Sequence, residues 1–203
     1  MNDLDYLNQI STNVNQPAKT GFFDKKMKII LGVLGSVILL FIIIAMLSGN
    51  SSNSQPTTAS ELSRLYLRAS ELSKTITNYN SSVSHSTLRS NGAQLSTLLT
   101  EITTTTSTYL SNNLGIEANK LTLSGTDATI IQKLNDDLNK ARLNGLLDRT
   151  YAHEMDYQID YLLIIEESIG KKTSESILSA FIDSSTKSLT LLKEAFHNYS
   201  ESD

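Results

Sequence analysis

Cysteine and tryptophan are absent from this chain of 203 residues, proline occurs twice and glycine nine times. Each scarcity excludes something. Without Cys there is no disulfide framework, no thiolate metal site, no Cys nucleophile and no lipidated cysteine anchor. The only prolines are Pro17 and Pro56, so every residue after 56 is free of the ring that breaks helices. Positive charge is in deficit, with Lys+Arg 17 against Asp+Glu 21 and a formal net charge of −4. Phosphate recognition needs clustered, excess Lys and Arg, so the sequence carries no nucleic-acid footprint. It also contains no G-x-S-x-G nucleophile elbow and no Gly-rich phosphate loop. The expectation is a protein that is not an enzyme, with no cofactor and no evident small-molecule substrate.

What is present begins with "IILGVLGSVILLFIIIAML", residues 29–47, an uncharged run of nineteen. At about 1.5 Å per residue it covers roughly 28 Å, close to the ~30 Å hydrocarbon core of a bilayer. A transmembrane helix is predicted, with the lipid bilayer as its partner. Lys19, Lys25, Lys26 and Lys28 precede the run, and the first basic residue after it is Arg64. The positive-inside rule then places residues 1–28 in the cytoplasm and residues 50–203 outside, a single pass of the plasma (inner) membrane. The run exceeds the ~7–15 residues of a signal-peptide core and no A-x-A cleavage site follows. The reading is an uncleaved signal-anchor. Gly32 and Ser36 form a small-xxx-small pair of the kind that supports helix dimerisation.

Residues 48–58 belong to a Ser/Asn/Thr-rich stretch, expected to be a flexible linker. Helical periodicity fills 59–200. Thr58 and Glu61 form a T-x-x-E capping box, followed by the stripe Leu62, Leu65, Ala69, Leu72, Ile76 and Tyr79. "NSSVSHS" (80–86) interrupts it. A second stripe runs from Leu88 to Leu110 and crosses the β-branched "TTTTST" stretch (103–108). Residues 112–127 read as a loop, with Ser124 or Thr126 capping the next helix. A third stripe starts at Ile130. Asn144-Gly145 weakens or kinks it, and it resumes at Leu147 and runs to Ile169. The last spans Ile177 to Tyr199. Four long helical segments without a strand pattern predict an all-α protein, an extracytoplasmic four-helix bundle tethered by one transmembrane helix.

"LSNNLGI", "LNDDLNKARLNGLLDRTY" and "SILSAFIDSSTKSLTLLKEA" occur in that order. Through Leu114, Gly115, Ile116, Gly145, Asp148, Tyr151, Leu178 and Phe181 the chain resembles the ferritin-like, four-helix periplasmic or outer-membrane bacterial family of unassigned function, over residues 59–197. The resemblance implies a ferritin-like bundle. That family often carries His where this sequence has Ile159 and Leu192, so the resemblance supports the fold and argues against a metal site.

"LDRTYAHEMDYQIDYLL" (147–163) concentrates the chemistry. With Tyr151 at zero on a helical wheel, Leu147, Met155, Ile159 and Leu162 fall within roughly −40° to +80°, one core face. Arg149, His153, Asp156, Asp160 and Glu167 fall near ~140–200°, a solvated face. "HEMDY" lacks the second His of a zinc helix, and Glu194–His197 is a Glu-x-x-His match without a second copy. Gln158 and Glu166 lie nearer the core side, and the expectation for Glu166 is an edge position with its carboxylate in water. Tyr157, Tyr161 and Ile164 fall at roughly 220–280°. Two readings stand for them: a neighbouring helix covers them, or they anchor a protein partner.

The functional expectation is a structural or protein-interaction module of the cell envelope, acting through an envelope partner or by self-association. Two alternatives are a degenerate ferritin-like metal or redox protein and a ligand-sensing bundle that signals through a partner.

Overall fold

The computed structural model describes residues 56–200. These form five α-helices and no strand: α1 Pro56–Tyr79, α2 Ser86–Leu114, α3 Gly125–Leu143, α4 Leu147–Lys172 and α5 Ser176–Ser200. No helix among the described residues is long and apolar enough to cross a membrane. The predicted tail, the span at 29–47 and nearly all of the linker lie outside the described residues.

Two expectations about boundaries change. Thr58 is not an N-cap, because α1 starts at Pro56 and Thr58 is already buried within it. Proline suits that first helical position, where its missing N–H has no partner to lose. Asn144-Gly145 does not kink one long helix but separates two. Gly145 adopts φ 71°, a left-handed conformation that a side chain disfavours, and the Leu146 N–H closes the turn on the Ala141 carbonyl at 2.9 Å. The four anticipated segments are therefore five helices. The other boundaries stand close to their predicted places, with Ser124 at the N-cap position of α3 and the Thr-rich stretch helical throughout.

Four helices form the bundle and the fifth lies along it. Helix α1 packs on α2 and α4, and α5 packs on the same two. Glu61, near the start of α1, meets Ser168 and Lys172 near the end of α4, while Asn80, just past α1, meets Tyr151 near the start of α4. These two helices are antiparallel. Tyr109, near the end of α2, donates to Glu175 just before α5, and His85 at the start of α2 lies edge-on to Tyr199 at the end of α5. Helices α2 and α4 consequently point the same way, and the chain must return the length of the bundle between them. Helix α3 makes that return beside α1: Asp127 reaches Arg64 and Arg68, and Asn135 reaches Thr75 and Tyr79. Its 19 residues span about 28 Å, and the preceding loop adds the remainder.

The apolar stripes meet in one core. Leu62, Leu65, Leu99, Ile102, Met155, Ile159, Leu189 and Phe196 are fully covered, and Leu192 lies at its edge. Ile159 and Leu192 are thus core positions. At one end Tyr151 is buried edge-on to Phe196 and reaches over Gly92 toward Asn80. A Cβ on Gly92 would sit 2.3 Å from Asn80 Oδ1 and 2.5 Å from the Tyr151 hydroxyl, so the helices approach closely there only because residue 92 has no side chain. Asp148 fixes the same end. Its two carboxylate oxygens accept from the Ser84 and His85 N–H groups at 2.8 Å each, tying the α1–α2 loop to the first turn of α4.

Candidate functional site

Helix α4 presents three surfaces of different chemistry. The solvent stripe carries Arg149, His153 and Glu167, all exposed as the wheel predicts. Asp160 belongs to the same stripe and pairs with Lys193 of α5 at 2.8 Å. Asp156 departs from it, because α5 leans over that edge: its Oδ2 lies 3.0 Å from His197 Nδ1, and its Oδ1 is buried with no hydrogen-bond partner. The Glu-x-x-His match at Glu194 thus leads to a His held by an Asp of another helix. Among the described residues no group of three or more His, Asp or Glu is arranged to hold a metal ion.

The second surface is the proposed anchor patch, which the structure divides. Tyr157 is 47 % exposed and Ile164 61 % exposed, and no helix among the described residues covers them. Tyr161 is half-buried and already occupied: the Arg68 guanidinium sits 4.4 Å over its ring, and its edge meets Tyr157 at 5.4 Å between centroids. Tyr161 therefore holds Tyr157 in place rather than offering a free face of its own.

Behind Tyr161 lies a charged network that the wheel did not anticipate. Arg68 is 1 % exposed and donates to Asp127 Oδ1 at 2.9 Å and to Gln158 Oε1 at 2.6 Å. Arg64, 38 % exposed, grips both oxygens of the same Asp127 at 2.6 and 3.0 Å. The hydrogen bond from Arg64 is the largest influence on Asp127 and holds its carboxyl below the usual range. The two arginines respond oppositely to the shared partner. Asp127 raises Arg64, whereas burial outweighs that attraction at Arg68 and lowers it. A signal for Arg68 was present in the sequence, since it stands three residues after Leu65 and four before Leu72, on the apolar stripe itself.

The third surface faces α5 and contains Glu166. The expectation of a carboxylate at the edge in water is overturned: Glu166 is 0 % exposed. Its Oε1 lies 2.7 Å from Ser185 Oγ and its Oε2 2.8 Å from Thr186 Oγ1. Spacing again held the signal, because Glu166 follows Leu162 by four and precedes Ile169 by three. Burial pushes this carboxyl up to about 7, against the smaller opposing effect of the two hydroxyls.

The outer surface of α4 thus presents an aromatic and an aliphatic side chain, Tyr157 and Ile164, beside a braced Tyr161. No protein-family model, curated protein or solved structure matches this chain.

Proposed function

We propose that this chain is a membrane-anchored, extracytoplasmic helical-bundle protein that acts by protein interaction in the cell envelope and not by catalysis. The observation that carries the interaction reading is the pair Tyr157 and Ile164, bulky and exposed on α4, with Tyr157 braced from beneath by Tyr161 and Arg68. Tyr is enriched at interface hot spots because it offers large amphipathic area at low entropic cost. The anchor rests on the uncharged run at 29–47 and on the lysines confined to its N-terminal side. The finer reading of the fold is a ferritin-like arrangement, a bundle with one long crossover connection, which we assign to α3 as a matter of helix order and not of kinship.

In-cell crosslinking followed by pull-down of the full chain tests the interaction. Replacing Tyr157 and Ile164 with Ser should remove one crosslinked product while the bundle still folds. If every crosslink persists in the double variant, the patch is not the interface. Protease added to spheroplasts tests the anchor. The expected product is a shed fragment containing residues 56–200 with the N-terminal tail protected, and a protected C-terminus reverses the orientation.

A further inference from the structure

We infer that Glu166 carries a proton in the folded bundle, and that loss of this proton is a built-in release for the seam between α4 and α5. Ser185 has one hydroxyl proton and three acceptors within reach: Glu166 Oε1 at 2.7 Å, the Phe181 carbonyl at 3.1 Å and the Ile182 carbonyl at 3.2 Å. If Glu166 is ionised, the Ser185 and Thr186 hydroxyls must both donate to it, and a full charge remains in the core with two neutral donors. If Glu166 is neutral, its own O–H donates to Ser185 Oγ, and the Ser185 proton turns to the Phe181 carbonyl. Each donor then has an acceptor and no charge is buried, which is the less costly state away from water.

Among the described residues no cation balances the ionised form. On α1, Glu61 is taken by Ser168 and Lys172, while Arg64 and Arg68 are directed to Asp127 of α3. On α3, Lys133 pairs with Asp137 of its own helix, and Lys140 also lies against Asp137. On α4 itself Glu167 pairs with Lys171 in solvent. On α5, Asp183 and Lys187 flank the Ser185–Thr186 pair in sequence and are exposed, and Lys193 and His197 are held further along the seam by Asp160 and Asp156 of α4. Burial is the leading influence on Glu166, the two hydroxyls are the others, and its titration falls at about 7. Ionisation passes the proton to water and leaves the carboxylate to find solvation. It gains solvation when α4 and α5 part at Ser185, because both of its hydrogen-bond partners lie on α5.

Hydrogen exchange of the full chain in a non-ionic detergent micelle tests this, compared at about pH 5 and about pH 8 after correction for the intrinsic rate. A carboxyl that titrates near 7 when closed and near 4.5 when open should raise α4–α5 opening on the order of 10- to 100-fold between those conditions. Amides of α1 should change far less; α2 is no reference, because it carries Glu101, a half-buried carboxyl that burial also pushes up to about 7. Glu166→Gln, which stays neutral and keeps the hydrogen-bonding shape, should abolish the dependence. The same rise in Glu166→Gln, or an equal rise in all helices, overturns the inference. Should that variant fail to fold, the carboxyl carbon of Glu166 in the wild-type chain decides by NMR: a midpoint near 7 supports it, and ionisation complete by about pH 5 overturns it.

Discussion

The two sides of α4 bury ionisable groups in opposite ways. Toward α1 and α3, Asp127 meets two guanidinium groups, and Arg68 is further satisfied by Gln158 and by the face of Tyr161. Toward α5, Glu166 meets only hydroxyls. The same residue class is consequently held below its usual range on one side and pushed above it on the other. Burial by itself does not set the state of a carboxyl; the charge of what it is buried against does. The α1–α3–α4 side is locked by compensated charge and fastens the crossover helix. The α4–α5 side is held by apolar packing, with Asp156–His197 and Asp160–Lys193 at its edge, around a buried group that tolerates closure only while neutral.

The most severe way to break the locked side is Arg68→Ala. It leaves Gln158 buried without its donor and removes the inner half of the clamp on Asp127, and should cost about 3–5 kcal/mol in denaturant unfolding. Arg64→Ala tests the same clamp from its exposed edge and should cost below about 1 kcal/mol, because solvent screens that pair. Equal costs would show that the buried and exposed contacts are not distinct.

The opposite side is probed by pH. The folded titration of Glu166 near 7 lies above the unfolded value near 4.5. Its contribution is therefore fully present below about pH 4.5 and is lost as pH rises toward and through 7, by roughly 3 kcal/mol in all. Asp127, with its folded value lowered, contributes the reverse: its stabilisation is present at neutral pH and is lost only on acidification below about pH 4. Thermal melts from mildly acidic to mildly alkaline pH should show a decline that Glu166→Gln reduces and Asp127→Asn does not, the remainder belonging to Glu101 of α2, whose half-buried carboxyl burial also pushes up to about 7.

Gly92→Ala sharpens the comparison at the end where both sides meet. The added methyl collides with Asn80 and Tyr151, and a loss of about 1–3 kcal/mol is expected in the same unfolding assay. The smallest effect belongs to the outer face. Tyr157→Ser with Ile164→Ser should leave stability within about 0.5 kcal/mol, since neither side chain is covered, while the proposed crosslink disappears.

The helical character of the chain and the inner faces of its helices were legible in local pattern. Apolar residues at steps of three and four define a buried stripe whatever the partner helix is, and Leu62 through Ile76, Leu147 through Ile169 and Ile159 with Leu192 follow it. Two breaks were legible as well: residues 80–85 and the loop after Leu114 interrupt the helical pattern, whereas Asn144-Gly145 showed only as a weak point. Whether Gly145 bends one helix or ends it depends on what α4 packs against, and only the assembled bundle decided for an end. The tertiary structure alone also decided the fate of the polar residues on the stripes. Arg68 and Glu166 occupy apolar positions by spacing, and a helical wheel drawn for one chain segment shows where they point but not what meets them. Arg68 finds an acid on a helix 59 residues away in the chain, and Glu166 finds two hydroxyls and, among the described residues, no cation. Periodicity is a local property of the chain, whereas compensation of a buried charge depends on which other segment arrives.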